Sequence, residues 1–405
     1  MPRLPPADQW RTGGRSGRSR ADRRLDRVDC GYYNKGLCRS CTVIEVPYAL
    51  QVANKQRLVQ ELVSPHGDPQ WLEPVTSRET GFRNKAKMVV AGSVGDPTLG
   101  ILDQHGGGTD LRDCPLYPEP ISVALDALAE FIARVRLLPY NVNKRRGEIK
   151  HVIVTGSPDG RLMVRFVLRS TQQLPKIRDN MSLLHELVPH ADVVSVNIQP
   201  EHKAVLEGPE EIMLTEQTEL IMTVNEIPLR VRPRSFFQTN TQVTAQLYQQ
   251  VSEWVDRAAP RAVWDVYCGV GGFALHVASA SREVTGTEIS DNAVASARDT
   301  AAAMGLPESG PGSVRFIADD AAAVPSGPAP DLAIVNPPRR GLDAGLCDWL
   351  ETSGVSTVVY SSCNAKTLAR DLGRMPSLEP LEARLLDMFP HTGHYEVAVL
   401  LKRRG

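Results

Sequence analysis

Cys363 closes the run Thr357-Val-Val-Tyr360-Ser361-Ser362-Cys363-Asn364, where apolar residues give way to small polar ones. A thiol in that setting reads either as a buried structural cysteine or as a nucleophile exposed to a cleft. Asp331-Leu-Ala-Ile-Val-Asn336-Pro337-Pro338-Arg339-Arg340-Gly341 ends in the same way, an apolar strand stopped by a rigid polar turn. The stretch Val263-Trp264-Asp265-Val266-Tyr267-Cys268-Gly269-Val270-Gly271-Gly272-Phe273 breaks from a strand into glycines, and a helical pattern follows. Glycines there permit positive φ and let a ligand approach the backbone, and free N–H groups at a helix start suit a polar ligand. A glycine turn with no ligand is the plainer alternative. Glu288 ends the next strand about 20 residues later, where a carboxylate can accept from ribose hydroxyls. NAD and S-adenosylmethionine (SAM) both fit. The missing third spaced glycine of the dinucleotide fingerprint favours SAM.

A second thiol group lies near the start. Cys30, Cys38 and Cys41 sit on a turn-rich loop with Gly31, Asn34, Lys35 and Gly36. Three cysteines so close point to a metal centre. A fourth ligand is needed, and Cys114 is the remaining cysteine of the N-terminal half. Zinc and a [4Fe–4S] cluster both accept four thiolates, and the spacing does not choose between them. The pattern differs from the C-x3-C-x2-C of radical-SAM enzymes. An odd count of seven cysteines, with no secretory leader, argues against a disulfide framework.

The elements that must position these residues follow from periodicity. Strands over 263–267, 283–289, 314–318, 331–335 and 356–360 alternate with helices over 272–279 and 291–303, predicting an α/β, doubly wound, Rossmann-like sheet. Its ligand lies beyond the carboxyl ends of the strands, where the glycines, Glu288, Asp320 and Asn336 all fall. Residues 387–401 read as a terminal antiparallel hairpin carrying His391, His394 and Glu396, the histidines as ordinary loop residues. Upstream, 48–231 reads as an α+β domain that contributes Cys114. It holds a helix over 121–138, a hairpin over 152–168 and a strand from Phe82 to Val90 with Arg83, Lys85 and Lys87 on one face. Lys144, Arg145, Arg146 and Lys150 form a second basic cluster. Such runs either solvate a surface or contact phosphates. The expected domains are a basic extension over 1–27, a cysteine-rich segment over 28–47, the central domain over 48–231 and the SAM domain over 232–405.

With 405 residues, 42% of them hydrophobic, the chain can form two or three cores. A net charge of −1 leaves RNA binding to local basic patches. No apolar run approaches membrane length, so a cytoplasmic monomer without membrane association is expected. The 1–27 stretch reads as a basic arm or as an upstream extension with Val28 as the true start.

SAM, a cysteine and a carboxylate together suggest one reaction. C5 of uracil is a poor nucleophile until a thiolate adds at C6, and a base must then take the C5 proton so that the thiolate can leave. Cys363 and Glu396 can fill those roles. The chain resembles the bacterial uracil-C5 RNA methyltransferases that carry an iron–sulfur cluster. The resemblance runs from Cys30 to the C-terminus, through GFRNKAKMVV from Gly81, SFFQTN from Ser235, CGVGGF from Cys268, VNPPRRG from Val335, SSCN from Ser361 and DMFPHT from Asp387. It implies a [4Fe–4S] cluster on Cys30, Cys38, Cys41 and Cys114. It implies SAM contacts from Gln238, Tyr267, Glu288 and Asn336, Cys363 as nucleophile and Glu396 as base. The implied substrate is 23S rRNA, at uracil 747 in reference numbering, with another rRNA or tRNA uridine as the alternative. Tyr267 replaces an expected Phe.

Three rivals fit less well. An amino-group methyltransferase shares the Asn-Pro-Pro turn but places an aromatic next, where this chain has Arg339. A cytosine-C5 enzyme sets its cysteine after proline, and neither Cys363 nor Cys268 follows one. A non-catalytic RNA-binding iron–sulfur protein would not need the full catalytic set.

Overall fold

A computed structural model describes residues 27–203, 205–319 and 328–405. Asp320, and all of the 1–27 extension but Arg27, lie outside the described residues. A short helix, α1 (Gly31–Asn34), follows Cys30 directly. The longer α2 (Tyr48–Val63) starts after Pro47 and buries Val52, Lys55, Val59 and Val63 at helical spacing. Its apolar residues share a core with the large C-terminal sheet. Strand β1 (Gln70–Trp71) then pairs with the edge of that sheet.

The central unit is a second sheet. Its strands are β2 (Lys85–Gly92), β3 (Pro97–Leu102), β4 (Gly108–Asp110), β5 (Ile149–Gly156), β6 (Leu162–Leu168), β7 (Ala191–Ile198) and β8 (Glu210–Met213), in the order β4-β3-β2-β5-β6-β7-β8. Helices α3 (Glu119–Arg134), α4 (Leu174–Arg178) and α5 (Met181–Leu187) cover one face. Ile121, Leu125, Leu128 and Ile132 form the buried stripe of α3, packed in one core with Met88, Val152, Val164 and Val194. The even residues of β2 point into that core, leaving Lys85 half-buried and Lys87 exposed on the other face. There Lys87 aligns through Ile153 with the buried Arg165, which is ion-paired to Glu207 and Glu211.

A hairpin, β9 (Leu220–Val224) and β10 (Ile227–Val231), turns through Asn225 and Glu226, both at positive φ. Beyond it run α6 (Thr241–Ala258), β11 (Ala262–Val266), α7 (Gly272–His276), β12 (Glu283–Glu288), α8 (Asp291–Ala303), β13 (Val314–Ala318), β14 (Leu332–Val335), α9 (Ala344–Thr352), β15 (Thr357–Ser362), α10 (Ala365–Leu372), β16 (Leu378–Leu386) and β17 (Glu396–Arg403). They make an eight-stranded sheet of order β1-β16-β17-β15-β14-β11-β12-β13. Strands β11 to β15 are parallel, and β17 runs antiparallel between β15 and β16. Alternating residues serve two cores. Val263, Leu332, Ile334 and Val359 face α6, α7 and α8, while Trp264, Val266, Ala333 and Tyr360 face α2, α9 and α10.

The fold is the doubly wound α/β sheet preceded by an α+β unit that the periodicity predicts. Strand order reverses between β11 and β14, and the crevice at that switch point is where such sheets bind ligands. Two features differ from the sequence reading. Residues 48–75 and the β9–β10 hairpin pack with the large sheet rather than the central one. The first strand of the terminal hairpin is β16, so residues 387–395 form its turn. Among the described residues, no helix is long and apolar enough to cross a membrane.

Candidate active site

The glycine loop leaves β11 with Tyr267, Gly269 and Gly271 all at positive φ. At Gly269 nothing lies within 4 Å of where a Cβ would stand, so the φ of +55° is what calls for glycine. The Gly269 N–H donates to Glu288 Oε2 at 3.2 Å, and the Ser290 N–H donates to Oε1 at 3.0 Å. Glu288 thus stands half-buried over the loop, at the tip of the adjoining strand. Ile289, next in the chain, is 71% exposed, an apolar surface at a polar strand edge. Asp265, fully buried on β11, accepts the Ala274 N–H at 2.9 Å and so fixes the start of α7. Among the described residues its other oxygen has no partner, and burial pushes the carboxyl up to about 8. Asn336 sits half-buried just past β14, on the other side of β11.

Gln238 is nearly buried in the loop that leads into α6. Asn84 holds this loop, its amide donating to the Gln238 carbonyl at 3.0 Å and to Thr241 Oγ1 at 2.7 Å. Asn240 caps α6 and also donates to Ser77 Oγ at 2.8 Å. Phe236, in the same loop, is 72% exposed. Strand β2, with its basic residues, therefore starts at this loop.

Cys363 lies just past the end of β15, half-buried. Burial raises its thiol above the ordinary value, as does the charge of Glu396, while Arg339 pulls it down through its charge and a hydrogen bond. Asn364 ties the two strand tips together, its amide donating to the Arg339 carbonyl at 3.1 Å. Glu396, the first residue of β17, is 2% exposed, and burial pushes its carboxyl up to about 7. Ser361 Oγ donates to Glu396 Oε1 at 2.5 Å. Cys363 and Glu396, 33 positions apart, thus act on each other electrostatically.

Arg339 at the thiol, Ser361 at the carboxylate and Ile289 beside Glu288 were not singled out from sequence. Arg339 had a signal in the polar turn that ends its strand. The Ser361 contact had none, because it depends on the register of β15 against β17. His391 is fully buried, its backbone N–H donating to Gln51 Oε1 at 2.8 Å and its Nε2 lying 2.8 Å from the Glu79 carbonyl.

The four N-terminal cysteines share one neighbourhood. Burial and then Cys114, Cys38 and Cys30 raise the Cys41 thiol to about 12, and Cys114 is raised to about 11 by burial, with Cys30 and Cys38 adding. Tyr32 bridges the two segments, its hydroxyl accepting the Asp113 N–H at 3.3 Å. As they stand, no three or more His, Cys, Asp or Glu among the described residues are arranged to enclose a metal ion. Thiols that raise one another's pKa are nevertheless the donor set that a cationic centre relieves.

A family model described as tRNA (Uracil-5-)-methyltransferase matches residues 210–306 and 330–404. The 23S rRNA (uracil(747)-C(5))-methyltransferase RlmC of Pectobacterium atrosepticum is 46% identical over 379 residues, covering 93% of this chain and 100% of that protein. The protein of the same name from Escherichia coli K12 is 45% identical over 380 residues, again covering 93% and 100%. Among solved structures, the Pyrococcus abyssi tRNA (uracil-54, C5)-methyltransferase bound to S-adenosyl-L-homocysteine superposes with a TM-score of 0.76 at 24% identity. That match covers 89% of this chain and 85% of the other.

Proposed function

This chain belongs to the family of RNA uracil-C5 methyltransferases, and from that premise we propose that it methylates C5 of uracil 747 in 23S rRNA with SAM as donor. The identity spanning the whole length of the RlmC relatives carries the reading of the substrate. The setting of Cys363, with Arg339 beside it and Glu396 in electrostatic contact, supports the reading of the chemistry.

SAM, when bound, supplies an electrophilic methyl group. Gln238, Tyr267, Gly269, Gly271, Glu288 and Asn336 would hold it. The open backbone of the positive-φ loop, the Glu288 carboxylate and the exposed Ile289 surface fit a ligand with a ribose and a flat apolar base. Arg339 favours the ionised Cys363, which adds to C6 of uracil and makes C5 nucleophilic. After C5 has taken the methyl group, Glu396 removes its proton. The electron pair of that C–H bond restores the C5–C6 double bond as the C6–S bond breaks. A carboxylate near pH 7 is matched to this step, since it is ionised often enough to accept and basic enough to hold the proton.

The target uridine must be unpaired or extruded, because stacking blocks both faces of the ring. The central seven-stranded sheet within the expected 48–231 unit serves as the RNA-binding face, where the exposed Lys87 offers positive charge on a strand that starts at the Gln238 loop. Burial, then Lys87 and Arg165, lower the pKa of the neighbouring Lys85 to about 8. Residues 232–405 serve as the SAM-dependent unit. Cys30, Cys38, Cys41 and Cys114 would carry a [4Fe–4S] cluster, which supplies a covalent tie between two distant segments and moves no electrons in this reaction. The protein is read as a cytoplasmic monomer.

Incubating the protein with SAM and a 23S rRNA fragment around position 747 tests the assignment. Mass mapping should find one added methyl on uracil 747. A methyl on another nucleotide, or none, would contradict it.

A further inference from the structure

We propose that Ser361 is the positioning residue for the base. Its buried hydroxyl fixes one oxygen of Glu396 and leaves the other to receive the C5 proton. This rests on the roles given above to Cys363 and Glu396.

The geometry begins with the register of β15 on β17. Ser361 lies opposite Ala398 and Ser362 opposite Val397. Glu396, two residues before Ala398, therefore shares a sheet face with Ser361 as its diagonal neighbour. Ser361 is 0% exposed, and its Oγ is 2.5 Å from Glu396 Oε1. Cys363 follows two residues later. One strand thus supplies both the nucleophile, at its end, and the group that orients the base.

A hydroxyl donating to a carboxylate in a dry site makes a charge-assisted bond that favours the ionised form. It acts against the burial that raises Glu396. The other groups around Glu396 do not replace it. Cys363 and Tyr248 feel its charge, from the end of β15 and from α6, and Tyr395 does so from the last position of the turn before β17. None of these three is a cation. Leu386 faces it across β16, and the neighbouring Asp387 is neutralised by Lys55. Arg339 lies on the Cys363 side.

In the step concerned, the C5–H bond breaks and its proton passes to the free oxygen of Glu396. The electron pair re-forms the C5–C6 double bond, and the C6–S bond returns its pair to Cys363. Without the Ser361 hydroxyl, the carboxylate is less often ionised at neutral pH and free to rotate. Release from the methylated adduct then slows, while thiolate addition and methyl transfer proceed.

The test is rapid-quench kinetics across pH with an RNA hairpin substrate, on Ser361→Ala, Ser361→Thr and Glu396→Gln. Ser361→Ala should release product about tenfold more slowly at pH 7, with its acid limb shifted upward by about one pH unit. The KM for SAM should stay unchanged, and Ser361→Thr should restore the profile. A Ser361→Ala enzyme with the wild-type limb, or one slowed equally at every pH, would overturn the proposal. If Glu396→Gln itself releases product at the wild-type rate, the base assignment fails first, which separates the two failures.

Discussion

Burial gives Glu396 its use and also a cost. Its carboxyl stands near pH 7 in the folded protein against an ordinary 4.5, so the folded state binds an extra proton between those values. Stability should be fully present below about pH 4.5 and fall as pH rises to about 7, by about 3 kcal/mol in all. Glu396→Gln removes that titration. Urea unfolding should find the variant no more stable than wild type at pH 4.5 and progressively more stable toward pH 8. A difference that does not change with pH would mean that the carboxylate is ordinarily solvated. Asp265 titrates with the same sign in both proteins and cancels. At this scale, residue type and position place Cys363, Glu396 and Glu288 at strand ends on one edge of the sheet, and their proposed roles rest on the chemistry those groups could do there. Arg339 and Ser361 act across strand tips, and such contacts leave no local pattern.

The elements are joined by a buried ion pair. Lys55 Nζ on α2 reaches Asp387 Oδ1 at 2.6 Å, both side chains being 0% exposed, and also donates to the Phe389 carbonyl at 3.1 Å. Burial lowers the Lys55 pKa and Asp387 opposes that. The pair pins the turn between β16 and β17, and with it the first residue of β17. Lys55→Met should cost about 3–5 kcal/mol, because Asp387 is left charged and buried. Adding Asp387→Leu should recover most of that, as replacing both charges of a buried pair with apolar groups often does. Denaturant midpoints of the two singles and the double measure it, and a Lys55→Met loss under about 1 kcal/mol would show the pair to be solvated. The same residues explain why α2 was not legible. Gln51 and Lys55 face the interior, so its buried stripe reads as polar interruptions. β16 was hidden likewise by Glu379, Pro380, Glu382 and Arg384. The parallel strands, buried on both faces, were plain as apolar runs.

Across the whole molecule, the N-terminal segment runs to the turn between β16 and β17. The Val43 N–H, two residues past Cys41, donates to the His391 carbonyl at 3.0 Å. The Arg83 N–H donates to the Leu116 carbonyl at 2.9 Å, joining the Cys114 turn to the foot of β2. A cluster on the four cysteines would brace both the central sheet, through the foot of β2, and the turn that precedes Glu396. Anaerobically purified protein should hold about four iron and four sulfide per chain. Cys41→Ser should lose them and weaken RNA binding more than SAM binding. Stoichiometric zinc without iron would contradict the cluster. Long-range assembly was the least legible level. The expected boundaries at 47 and 231 leave α2, β1 and the β9–β10 hairpin in the central unit, whereas these elements pack onto the large sheet.

In the proposed mechanism Cys363 bonds to C6 of a uridine in 23S rRNA. An RNA hairpin carrying 5-fluorouridine at position 747 tests it directly, since fluorine at C5 cannot leave as a proton. With SAM, the wild-type protein should form a covalent complex that survives denaturing electrophoresis, and peptide mapping should place the nucleotide on Cys363. The Cys363→Ala variant should bind SAM as before and form no complex. A covalent complex that persists in Cys363→Ala, or its absence from the wild type while uracil 747 is still methylated, would contradict the account.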